Sequence, residues 1–213
     1  MTILIGYKFP NGVTITADTK SSDIDKDGNV LGSSHAKKKI KSIRPNIIIA
    51  TAGLGDLGSA TVDLIHSLIN HKDYVSVEDA VIYTQRCFQF TFQTFKDINP
   101  EVSYNLMYTI LGGYDPDKKT SFLYELKSTN NFEFNGENRD SSIIGDGQTE
   151  VASYISSRLR TYSPENFYKL FAEAIRSIDN VSVSKETQTI FSFYENNSPY
   201  ISEKNLDKNG HII

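Results

Sequence analysis

Residues 2–20 read TILIGYKFPNGVTITADTK. Two β-prone runs, ILIGYKF (3–9) and VTITADT (13–19), flank Pro10, Asn11 and Gly12. An Asn-Gly pair between such runs is a strong hairpin signal. Along the second run Val13, Ile15 and Ala17 share one face, and Thr14, Thr16 and Asp18 the other. A turn near Asn11-Gly12 folds the second run back on the first, which returns Asp18 to the neighbourhood of Thr2. The second residue of the chain thus gains a carboxylate as neighbour.

Working outward, residues 20–36 are polar and read as a loop or short irregular hairpin. KKIKSI and NIIIATAG are two short strands around Arg44-Pro45-Asn46. LGDLGSATVDLIHSLINHK is a helix, with Leu57, Thr61, Leu64, Ile65, Leu68 and Ile69 at helical spacing. SVEDAVIYTQRCFQFTFQTFKDIN is a second helix, capped by Ser76 with Asp79 three residues on. YNLMYTILGGYD and TSFLYELKS pair around Pro116-Asp117, and SSIIGDGQTEVASYISSRLRTY runs from strand through a glycine turn to helix. SPENFYKLFAEAIRSID is a last helix with Ser163 as N-cap and Pro164 at its first position. QTIFSFYE closes the fold as a strand, and the tail from about residue 196 reads as the least structured part. The order of strands, two helices, strands, two helices and a strand predicts one α+β domain over residues 1–213. Its helices lie outside two packed, mostly antiparallel sheets.

The net charge of −4 argues against a nucleic-acid footprint, which is basic. The single cysteine, Cys87, forms no internal disulfide, so a reducing, cytoplasmic setting is expected. No signal peptide is read around TILIGY, and no apolar run reaches the roughly 18 residues of a membrane span.

Thr2 carries the first candidate chemistry. Once Met1 is removed, its hydroxyl stands beside a free α-amine whose pKa, about 7.7 to 8.0, lets it accept a proton near neutrality. That is a nucleophile with a built-in base. A threonine in second position carries no signal alone, and Lys37, Lys38 and Lys39 read equally as a solvated run. Together, an Asp18–Lys39 pair beside the hydroxyl would lower the cost of the alkoxide and orient the ammonium. Gly53, where NIIIATAG meets the following helix, either offers a backbone N–H to an oxyanion or simply makes the turn.

These segments, TILIGYKFPNGVTITADTK, KKIKSI, NIIIATAGLGD and YTILGGYD, resemble the β-type subunits of the 20S proteasome and their bacterial relatives, members of the N-terminal nucleophile hydrolase superfamily. The resemblance implies a four-layer α-β-β-α sandwich. It places Thr2 on the family's terminal threonine, Asp18 and Lys39 on its catalytic pair, and Gly53 on the oxyanion glycine. In DNVS it places Asp179 and Ser182 on the residues that support the amine. Asp146, in Gly145-Asp146-Gly147, replaces the usual serine. It either holds the amine protonated or merely occupies the helix start. Ser21, Lys37, Lys41, Thr51 and Gly55 are implied as walls of the specificity pocket. The family's α-type subunits begin with a helical extension that TILIGY does not show, so the β type is expected.

The implied activity is a threonine-type peptidase acting on peptides or unfolded proteins inside a homo-oligomeric ring. An unfolding ATPase is the implied partner, with no metal or organic cofactor. Two other readings stay open: an amidase or acylase on small amides, and an inactive ring scaffold. Asp146 and any retention of Met1 favour the scaffold.

Overall fold

The computed structural model describes residues 2–27, 29–72, 75–104, 106–180 and 182–213. The opening hairpin forms between β1 (Ile3–Phe9) and β2 (Gly12–Asp18). Phe9 pairs with Gly12, so the two-residue turn is Pro10-Asn11, one position earlier than Asn11-Gly12. Proline pre-sets the φ of the first turn position. Gly12 is instead a strand residue chosen for space: a Cβ there would lie 2.2 Å from the Ser192 carbonyl oxygen.

The polar stretch after β2 is a hairpin, β3 (Lys20–Ile24) and β4 (Val30–Ala36). Then come β5 (Ile40–Arg44), β6 (Ile47–Gly53), α1 (Gly55–Asn70) and α2 (Val77–Ile98). Strands β7 (Met107–Asp115), β8 (Thr120–Lys127) and β9 (Ser141–Gly145) follow, then α3 (Gln148–Arg158) and α4 (Phe167–Arg176). The chain closes with β10 (Thr187–Glu195) and β11 (Ser198–Leu206). One sheet has the order β11-β10-β2-β1-β9 and the other β5-β6-β7-β8.

Residue alternation builds the layers. In β1, Ile3 and Ile5 point to α3 and α4, where they meet Val151, Leu170, Phe171 and Ile175. Leu4 points the other way, into the gap between the sheets with Val13, Ile15 and Ala17 of β2 and Ile48 and Ala50 of β6. Ile47 and Ile49 of β6 face α1 and α2, with Val62, Ile65 and Phe88. Both faces of each sheet are covered, which is why these strands read as nearly continuous apolar runs. The result is the expected four-layer α-β-β-α sandwich.

Three expectations change. The tail is not irregular: β11 pairs with β10 along its whole length through a turn at Asn196 and Asn197, both left-handed with φ of 50° and 60°. The buried face of α1 is shifted from the expected one: Thr61, Ile65 and Ile69 enter the core as expected and Val62 joins them, whereas Leu64 and Leu68 are exposed. The close approach of Gly58 to Thr51 and Met107 fits that face. Finally, Ser163 does not cap an α-helix. Pro164–Asn166 form a 3-10 turn and α4 begins at Phe167. No described helix is long and apolar enough to cross a membrane.

Candidate active site

The β1–β2 hairpin delivers Asp18 beside the first residues, as its register requires: Leu4 faces Ala17, and the Ile3 amide donates to Asp18 Oδ1 at 3.0 Å. The amides of Lys20 and Ser184 donate to Oδ2 at 3.0 and 3.2 Å. Three backbone donors thus hold a carboxylate that is fully buried. A buried charge needs such partners.

Lys39 leads into β5, its carbonyl accepting from the Thr51 amide at 3.2 Å. Its ammonium donates to Asp18 Oδ1 at 2.9 Å and to Thr2 Oγ1 at 2.7 Å. Only 8% of the Lys39 side chain is exposed. Burial pulls its pKa below the ordinary 10.5; Asp18 opposes that shift and Lys37 adds a little to it. Thr2 is itself buried.

Gly53 has a φ of 99°, and a Cβ there would stand 2.0 Å from the Leu106 carbonyl oxygen. Only glycine fits that conformation. Thr2, Lys39 and Gly53 line one cavity of about 640 Å³, together with Ser21, Lys37, Thr51 and Gly55. A Cβ on Gly55 would lie 3.5 Å from Ser21 Oγ and 4.0 Å from Lys37 Nζ, so these three form one wall. Lys37 is paired with Asp56 at 2.6 Å, so its charge arrives partly neutralised. Lys41 does not belong to this wall. It pairs with Asp63 at 2.5 Å and lines a separate cavity of about 320 Å³.

On the other side of Thr2, the Asp146 amide donates to the Thr2 carbonyl at 3.4 Å. Ser182 Oγ donates to Asp146 Oδ2 at 3.0 Å, and Asn180 Nδ2 approaches the same oxygen at 3.4 Å. Asp146 is therefore no helix cap; Gly147 holds that position with no side-chain bond. Asp179, expected to support the amine, is exposed, and Asn180 makes the contacts instead. The DNVS turn presents its second residue inward, which a spacing argument cannot see.

Two residues of the site escaped the sequence reading. Tyr104 lines the cavity, and burial followed by the Asp146 charge pushes its phenol pKa up. Gln188, 1% exposed, accepts at Oε1 from the amides of Lys39 and Ile40. Neither stands in a motif, and Gln188 reads as one more strand residue. Met1, whose removal the sequence reading expects, lies outside the described residues.

A family model described as proteasome subunit matches residues 2–192. No curated protein matches the chain. The match starts at Thr2 and ends inside β10, so β11 lies beyond it.

Proposed function

The chain belongs to the proteasome subunit family, and from that premise we propose that it is a threonine-type peptide hydrolase of the N-terminal nucleophile kind. The observation that carries the reading is the 2.7 Å contact between Lys39 Nζ and Thr2 Oγ1, with Asp18 held behind it. The depressed lysine pKa enriches the neutral amine, which takes the hydroxyl proton as Thr2 Oγ1 attacks a carbonyl carbon. The carbonyl electron pair moves onto oxygen, and the Gly53 amide donates to that oxyanion. Collapse breaks the C–N bond. Lys39 returns the proton to the leaving amine, and an ester remains on Thr2. Water, deprotonated by the free α-amine of Thr2, then hydrolyses the ester and restores the hydroxyl.

The cavity accepts a side chain through the wall of Ser21, Lys37, Thr51 and Gly55, and Asp146 with Ser182 supports the amine side. Oligomeric assembly, a peptide or unfolded-protein substrate, an ATPase partner and a cytoplasmic location belong to the same proposal. A cavity of about 640 Å³ also accommodates a whole small amide. The test is therefore a panel of fluorogenic peptides and small amides, run on the chain and on Thr2→Ala. Turnover of peptides that disappears in Thr2→Ala supports the reading. Turnover of small amides alone moves the chain to the amidase class. Turnover that survives in Thr2→Ala refutes it.

A further inference from the structure

We propose that Gln188 is a positioning residue for Lys39 and that Glu203 of β11 locks its amide, so that the strand beyond the family match sets the geometry of the catalytic lysine. β5 is an edge strand of its sheet. Its pairing with β6 leaves the amides of Lys39 and Ile40, and the Ile40 carbonyl, directed to the outer edge. Unpaired groups of that kind are costly when buried. The Gln188 side chain answers all three. Its Oε1 accepts from Lys39 N and Ile40 N, both at 3.1 Å, and its Nε2 donates to the Ile40 carbonyl at 3.2 Å. One primary amide thus replaces a neighbouring strand across the gap between the two sheets.

An amide can be flipped end for end, and only one orientation serves here. Glu203 fixes it. Its Oε1 accepts the second Nε2 proton at 3.2 Å, and a carboxylate offers nothing that the Gln188 oxygen could accept. Glu203 also accepts from Lys38 Nζ at 2.9 Å and Asn205 Nδ2 at 3.0 Å. The salt bridge draws Lys38 outward while its neighbour Lys39 points inward to Thr2. Displacements near 1 Å in such a constellation cost about a hundredfold in rate.

The consequence for rate rests on the proposed Thr2 chemistry; the geometry does not. Three readouts are compared in the full chain and in Gln188→Ala, Glu203→Ala and Glu203→Gln. These are kcat and KM on a cleaved peptide, the Lys39 titration followed by NMR of ¹³Cε-labelled lysine, and amide hydrogen exchange at Ile40. Glu203→Ala should lower kcat by about tenfold with KM unchanged, and Gln188→Ala by up to about a hundredfold. In both, Lys39 becomes better solvated, its titration moves up toward the ordinary lysine value, and Ile40 exchanges faster. Glu203→Gln keeps an acceptor for the amide and restores most of the loss. If Gln188→Ala fails to fold, the Glu203 pair decides, because that side chain is one-third exposed. The proposal is overturned if Glu203→Ala leaves both the Lys39 titration and Ile40 exchange as in the parent. If the parent cleaves nothing, the hydrolase reading fails, and the titration and exchange data still decide the role of Gln188.

Discussion

Lys39 is held between opposing influences, burial lowering its pKa and Asp18 raising it. Burial prevails, so the neutral amine becomes available below the ordinary lysine value of 10.5. If neutral Lys39 is the base, kcat/KM must rise with pH through an ionisation below that value. Lys37→Met, which removes a neighbouring positive charge, should move this limb slightly higher. Lys39→Ala and Asp18→Asn should each cost about 10² to 10⁴ in kcat/KM, and the double variant little more than the worse single one. Losses that simply add in log rate would show that the two residues do not act together. Asp146 gives the second test at this scale. Its backbone amide bonds to the Thr2 carbonyl and its carboxylate is held by Ser182 and Asn180, so in the proposed mechanism that charge would favour the ammonium form of the free α-amine. Asp146→Ser should therefore move the acid limb of the deacylation rate to lower pH and raise activity near pH 7, measured from pH 5 to 9. An unchanged limb would leave Asp146 with a purely structural role. The approach of Asp18 to Thr2 was legible because a local hairpin brings them together, whereas Lys39 read equally as part of a solvated run and was singled out by the family resemblance. Gln188 was not legible, because its partner Ile40 lies 148 positions away and nothing local marks a glutamine that caps a distant strand.

At the scale of elements, the strands were read well wherever both faces are buried and poorly where a turn lacks glycine. Asn-Gly at 11–12 pointed to the right hairpin but the wrong pair of turn residues, since Pro10 fixes the turn and Gly12 serves packing against β10. Asn196-Asn197 makes a tight turn with two left-handed residues and no glycine, so the tail read as irregular. Asn197→Gly should relieve the cost of its φ of 60° and stabilise the chain by about 0.5 kcal/mol. That corresponds to roughly 1–2 °C in Tm by calorimetry. A fall in Tm would mean that the Asn197 side chain contributes more than its backbone costs. In α1 the periodicity was right, and Thr61, Ile65 and Ile69 enter the core as expected, but Leu64 and Leu68 do not. Leu64 and Leu68 fit the same spacing as Ile65 and Ile69, and the close approach of Gly58 to Thr51 fits the face that is buried.

The whole molecule leaves apolar surface on its outer helices. Of the aromatic residues that crowd α2, Phe88 and Phe92 enter the core and Phe95 lines the cavity, but Phe90 is 68% exposed. Ile82 and Ile98 on the same helix, and Leu64 and Leu68 on α1, are exposed as well. Surfaces of this kind mark contacts between molecules. The proposed assembly should therefore be weakened by Phe90→Glu, with light scattering at micromolar concentration showing a smaller species. A monomeric mass for the parent chain would contradict the assembly proposal.

The central claim, that Thr2 is the nucleophile, is tested most directly by intact-mass and peptide-mapping spectrometry after treatment with an acylating β-lactone. The account predicts chains without Met1, one adduct per chain, and the adduct on Thr2, with no labelling of Thr2→Ala. An adduct on another residue, equal labelling of Thr2→Ala, or Met1 retained on every chain of a preparation that cleaves peptides would contradict it.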